Sequence, residues 1–138
     1  MNPKLPINLV IIVDDMISSG ESMLDVARAL KDRKASRIYA FSTFGLFTSG
    51  LDAFDKAHEE GLIDKVFTTN LIYQSPELLS RDWYVSCDMS KYIAYLIDTL
   101  NHDASISDLL NPVERINNII ERYNSGELVA SMKAEKAQ

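Results

Sequence analysis

Hydrophobic and polar positions follow two different periods along the chain, and the changes of period mark its elements. Residues 7–13, INLVIIV, are a nearly continuous apolar run, the pattern of a strand covered on both faces within a parallel sheet. From Ser22 onward Met23, Val26, Ala27 and Leu30 fall at the i, i+3, i+4, i+7 spacing, which predicts a helix over residues 22–33. RIYAFST, residues 37–43, is rich in aromatic and β-branched side chains and predicts a second strand. A glycine-flanked loop, FGLFTSG, leads to a short helix over residues 51–60 that Gly61 ends. KVFTT (65–69) and WYVSC (83–87) predict the third and fourth strands, with a loop holding Pro76 between them.

Two more helices follow. Met89, Tyr92, Ile93, Leu96, Ile97 and Leu100 share one face of the first, and Val113, Ile116, Ile119, Ile120 and Tyr123 form a stripe on the second. The second has a marked start, with Asn111 as N-cap, Pro112 at the first helical position and Glu114 as the acid of a capping box. Residues 1–127 are expected to form one domain and residues 128–138 a tail. Strands alternating with helices imply an α/β fold, a mostly parallel sheet flanked by helices. Ligands in such folds bind outside the carboxyl ends of the strands.

Asp14 and Asp15 stand side by side where the first apolar run ends. Adjacent carboxylates repel, and desolvating either is costly without compensation. The next residues, SSGES, occupy a turn between a strand and a helix, where backbone N–H groups and the helix dipole favour an anion. Gly20 permits unusual backbone angles, and the hydroxyls of Ser18, Ser19 and Ser22 can donate to phosphate oxygens. The plainer reading makes Ser22 a helix N-cap with Asp25 three residues on. The aspartate pair tips the balance toward a ligand with both a phosphate and vicinal hydroxyls, with Mg²⁺ relieving the carboxylate repulsion.

Composition narrows the function classes. At 138 residues, 46% hydrophobic and 25% charged, the chain can bury one substantial core. A net charge of −6 argues against a nucleic-acid surface and means that a polyanionic substrate needs a bridging cation or basic groups from elsewhere. A single cysteine, Cys87, and the lack of a long apolar run point to a cytoplasmic protein without membrane attachment. His58 and His102 lack partners at ligand spacing and read as surface residues; Cys87 reads as an inert buried thiol. Tyr92 and Tyr95 read as packing residues, and Arg28, Lys31, Arg33, Lys34 and Arg37 as a solvated cluster that complements a helix C-terminus.

VIIVDDMISSGES resembles the phosphoribosyl-pyrophosphate signature of the type I phosphoribosyltransferase fold, which consists of a strand, two acids and a small-residue phosphate loop. VARALKDRKASRIYAFSTFGLFTSG, IDKVFTTN, YVSCDMSKYIAYLIDTL and RYNSGE are similar to successive stretches of the ribose-phosphate pyrophosphokinase family. The likeness runs from about Val10 to Glu127 and matches that family's C-terminal half. It implies a reaction of ATP with ribose 5-phosphate that gives phosphoribosyl pyrophosphate and AMP, in a homo-oligomer. Asp14 and Asp15 would hold the ribose hydroxyls and help to place Mg²⁺, while Ser18, Ser19, Gly20, Glu21 and Ser22 would wrap the 5-phosphate.

The family's ATP site, basic flexible loop and metal-binding histidine lie upstream of the signature, so the chain is expected to be a part of a longer enzyme and inactive alone. Glu21 adds a negative charge where the loop usually has a small residue, and Phe44 stands where the family usually has histidine. Those departures keep a non-catalytic regulatory or scaffold relative open, and another phosphoribosyltransferase remains a further alternative. A receiver-type signalling domain also begins with a strand ending in paired aspartates. It needs a phosphorylatable aspartate at a later strand end, which neither FST nor FTTN supplies.

Overall fold

The computed structural model describes residues 8–107 and 111–127, and it divides after Ser90 into two compact units. The first unit contains strands β1 (Leu9–Ile17), β2 (Arg37–Gly45), β3 (Lys65–Thr69) and β4 (Tyr84–Cys87). They form one sheet in the order β1-β2-β3-β4, with every neighbouring pair parallel. Helices α1 (Glu21–Asp32), α2 (Asp52–Glu59) and α3 (Pro76–Leu79) make the crossovers. This is the α/β architecture that the alternation of periods predicts.

The core lies on one face of the sheet. Ile38 and Ala40 of β2, Val66 of β3 and Tyr84 of β4 pack in a single cluster with Met23, Leu24 and Ala27 of α1 and Phe54 and Ala57 of α2. The buried α1 positions are i, i+1 and i+4, which gives that helix one apolar stripe, as a helix on a sheet requires. Val26, expected on that stripe, is exposed. Asp64 fixes the entry to β3 by accepting the Ile38 N–H at 2.8 Å.

Two expectations for β1 are corrected. The strand continues through both aspartates to Ile17, because Asp14 pairs with Ser42, Met16 with Phe44 and Ile17 with Gly45. It is also not covered on both faces, since Ile11 is 55% and Val13 77% exposed. These two side chains lie in register with Tyr39 and Phe41, and Phe41 stacks on Phe67 with ring centroids 4.4 Å apart. Among the described residues β1 is an edge strand. A continuous apolar sequence therefore reports the hydrophobicity of both faces and does not say what covers them.

The stretch expected as a loop around Pro76 holds α3. Ser75 caps it by accepting the Leu78 N–H at 3.1 Å, and Pro76 takes the first helical position. Four residues are too few to show a helical period.

The second unit contains α4 (Ser90–Asn101), apart from its first residue, and α5 (Val113–Asn124). Tyr92, Ile93 and Leu96 of α4 are half-buried, and the Arg115 guanidinium lies 5.5 Å from the centre of the Tyr92 ring. Asn111, expected as the N-cap of α5, lies one residue before it, although its Oδ1 accepts the Val113 N–H at 3.1 Å. Pro112, expected as the first helical residue, occupies the N-cap position instead. The tail over residues 128–138 and the Ile7 end of the first predicted strand lie outside the described residues. Among the described residues no helix is long and apolar enough to cross a membrane.

Candidate functional site

Asp14 and Asp15 lie within β1, and the serine loop follows the end of that strand and opens α1. Asp14 and Asp15 are both exposed, and Asp14 Oδ1 accepts the Asp15 N–H at 2.9 Å. Being consecutive on a strand, they leave it on opposite sides, so a ligand that meets both must straddle the strand. Ser18 is exposed, Ser19 half-buried, and Glu21 and Ser22 exposed. The N-cap of α1 is Gly20, at φ 88°, and no side chain caps the helix. Ser22 is therefore not the cap, and the capping-box reading with Asp25 falls. Asp25 instead forms an ion pair with Arg28 at 2.5 Å.

An uncapped helix start leaves its first N–H groups without intrahelical acceptors and concentrates the positive end of the dipole there. Ser19 Oγ approaches one of them, the Glu21 N–H, at 3.4 Å. Glycine at the cap has two causes. The left-handed φ costs a residue with a Cβ about 1–2 kcal/mol, and a Cβ on Gly20 would lie 2.2 Å from Phe54 Cε2. The loop backbone thus rests directly on an aromatic ring.

That ring also supports a second loop. Residues 46–48 run beside the end of β1, with Leu46 N–H donating to Ile17 O at 2.8 Å and Thr48 N–H to Ser18 O at 2.9 Å. Between them Phe47 adopts φ 47° although it is not glycine, and it is only 7% exposed. Such strain persists only where the surroundings hold it. Here the Phe47 ring meets Phe54 edge-on at 5.2 Å and Trp83 at 5.9 Å, and Phe54 stacks on Trp83 at 5.4 Å. A Cβ on Gly45 would lie 2.7 Å from the Phe47 ring, so glycine is needed there too. Trp83 is tied in place by its Nε1–H bond of 2.7 Å to Asp55 Oδ1, which also meets Arg81 Nε at 3.0 Å. The hydrophobic pattern alone does not reveal this footing; the aromatic residues 47, 54, 83 and 84 are scattered in sequence.

The carboxyl ends of β3 and β4 carry two polar networks that sequence reasoning missed. Gln74 donates to Tyr84 Oη at 2.7 Å and Thr69 O at 3.0 Å and accepts from Ser86 Oγ at 2.7 Å, and Thr68 Oγ1 lies 2.6 Å from the same Tyr84 oxygen. Burial pushes the Tyr84 hydroxyl above its ordinary pKa. Asp88 Oδ1 accepts from Ser90 Oγ at 2.6 Å, from the Ser90 N–H at 2.9 Å and from Asn70 Nδ2 at 2.8 Å, and these bonds hold its carboxyl below the usual range. The remaining candidates fall outside the acid–serine cluster. His58 Nδ1 is 3.1 Å from Ile63 O, and His102 Nδ1 is 3.3 Å from Asp98 Oδ1. Burial raises the Cys87 thiol, which favours the unreactive form. Lys31 of the basic cluster donates to Ser36 O at 2.8 Å. Phe44 is part-exposed near the end of β2.

Among the described residues no three His, Cys, Asp or Glu side chains converge as a metal site. Two exposed adjacent carboxylates nonetheless suit Mg²⁺, which commonly takes one or two protein carboxylates and completes its shell with water and substrate oxygens.

Comparison with known proteins bears on the family and the fold. Residues 5–111 match the phosphoribosyl synthetase-associated domain. The chain is 32% identical over 101 residues to the ribose-phosphate pyrophosphokinase of Vibrio parahaemolyticus, and 34% and 35% identical over 101 residues to those of Vibrio cholerae and Haemophilus influenzae. Each match covers 73% of this chain and 31% of the relative, so the chain spans about a third of their length. The crystal structure of phosphoribosylpyrophosphate synthetase from Mycobacterium smegmatis superposes with a TM-score of 0.61 over 71% of this chain and 32% of that one. At 18% identity, that likeness speaks for the fold. The parallel sheet, the acids on β1 and the glycine-capped loop after them thus accompany a family match over most of the sequence, and the chain belongs to the ribose-phosphate pyrophosphokinase family.

Proposed function

We propose that this chain supplies the ribose-5-phosphate subsite of a ribose-phosphate diphosphokinase, in which ATP and ribose 5-phosphate give phosphoribosyl pyrophosphate and AMP. The observation that carries the reading is the start of α1, which has no side-chain cap and follows two exposed carboxylates on β1. The phosphate sits against residues 18–22, where the loop N–H groups and the hydroxyls of Ser18, Ser19 and Ser22 donate to its oxygens. Asp14 and Asp15 accept hydrogen bonds from the ribose 2- and 3-hydroxyls and share Mg²⁺ with the substrate. Mg²⁺ supplies charge neutralisation at the transferring phosphates. The chain's own part is orientation: a ribose gripped at both its phosphate and its hydroxyls presents the anomeric oxygen in one direction, and such positioning is a large share of catalysis in transfers of this kind. No described residue is assigned a proton-transfer or nucleophilic role, and the isolated chain is expected to be inactive. A cytoplasmic homo-oligomer completes the proposal.

Titration of ribose 5-phosphate with Mg²⁺ into the 138-residue chain, followed by amide resonances, tests it. Shifts at residues 18–22 are expected, and Asp14→Asn should weaken binding roughly tenfold, the loss of one charge-assisted hydrogen bond. Shifts confined to other loops, or none at millimolar ligand, would remove the assignment. Glu21, an acid within the loop, favours one second reading, a non-catalytic relative that keeps the fold. The same titration separates the two: a folded chain that ignores the ligand is the outcome for the relative.

A further inference from the structure

The ladder between β1 and β2 does not stop at the end of the strands. It continues as Leu46 and Thr48 N–H groups donating to Ile17 and Ser18 carbonyls, which lays residues 46–48 along the serine loop. Phe47, buried and at positive φ, lies between two exposed neighbours, Leu46 and Thr48. As a result Thr48 Oγ1 stands 3.5 Å from Ser18 Oγ. Both hydroxyls are exposed, and this separation is longer than a good O–H···O hydrogen bond, so neither is used up by the other. Two hydroxyls at that spacing can donate to one shared oxygen.

We propose that Thr48 is a further substrate-binding residue, its hydroxyl donating with that of Ser18 to one oxygen of the sugar phosphate. The assignment rests on the ribose-5-phosphate reading of the serine loop. It adds a second wall, from the loop after β2, to a site otherwise built from the loop after β1. The ligand class is a phosphate monoester, because two neutral donors beside a helix start suit a small, highly charged anion. The strained Phe47 is then a positioning residue, since its ring fixes where Thr48 emerges.

Thr48→Val removes the hydroxyl at an exposed position while keeping the shape, and Thr48→Ser keeps the hydroxyl. Binding of ribose 5-phosphate with Mg²⁺ to the complete 138-residue chain is measured for each. Thr48→Val should weaken it about fivefold to tenfold, in line with one hydrogen bond to a charged group; Thr48→Ser should stay within about twofold. Adding Ser18→Ala to Thr48→Val should cost less than the sum of the two single losses, because both donors serve one oxygen. Unaltered binding by Thr48→Val, with the parent chain binding normally, overturns this inference and leaves the proposed function standing. Absence of binding by the parent chain removes both.

Discussion

Two residues define the footing of the candidate site, Gly20 and Phe54. The glycine is required twice over, by its left-handed φ of 88° and by the Phe54 ring 2.2 Å from where a Cβ would sit. Gly61, at φ 68°, has open space around its missing Cβ and separates the two effects. Gly61→Ala should lose about 1–2 kcal/mol, the left-handed penalty alone. Gly20→Ala should lose that and about 1–3 kcal/mol more for overpacking. Denaturant midpoints of the two variants measure the difference; equal losses would show that the ring moves aside freely. The sequence announces a glycine in a turn, but it does not announce the ring beneath it, because Phe54 is 34 positions away and looks like any apolar helix residue. Ser22 shows the reverse error. A serine ahead of an apolar period reads as a cap, yet the helix begins at Glu21, which puts Ser22 inside it.

At the scale of elements, side chains reinforce the ladder at the carboxyl ends of β3 and β4. Gln74 ties the segment between β3 and α3 to Tyr84 and Ser86 of β4. The raised Tyr84 hydroxyl makes this region sensitive to alkali. Because the folded state keeps the Tyr84 proton above the pH at which the unfolded chain releases it, the stabilisation is complete below about pH 10 and is lost as pH rises through the folded value. Stability measured by urea unfolding from pH 8 to 11 should therefore fall on the alkaline side, and Tyr84→Phe should make that fall shallower. An unchanged slope would place the lost protons elsewhere. The helices α1, α4 and α5 were legible from their period and α2 from the glycines around it, whereas α3 was not. Its signal was local, a Ser75-Pro76-Glu77 start, rather than periodic.

At the scale of the whole molecule, β1 presents an exposed apolar face at the sheet edge among the described residues. An edge strand with exposed Leu9, Ile11 and Val13 is a template for association. Val13 is 77% exposed, so Val13→Lys should leave folding stability within about 0.5 kcal/mol. The same change should reduce concentration-dependent self-association of the chain in sedimentation velocity. Association that ignores the substitution would assign it to another surface, such as the exposed Ile116, Ile119 and Tyr123 of α5.

By itself the sequence determined the α/β class, eight of the nine described elements, and the acids and serine loop with the family they belong to. Those features are encoded within a few consecutive residues, through period, turn chemistry and a compact motif. Tertiary structure decided that β1 runs on past its acids and lies at the sheet edge, and that Gly20 caps α1 on the Phe54 ring. It also decided that Thr48 comes to face Ser18. Each of these depends on which distant segments become neighbours, and contact between residues 28 or more positions apart leaves no local trace in a single chain.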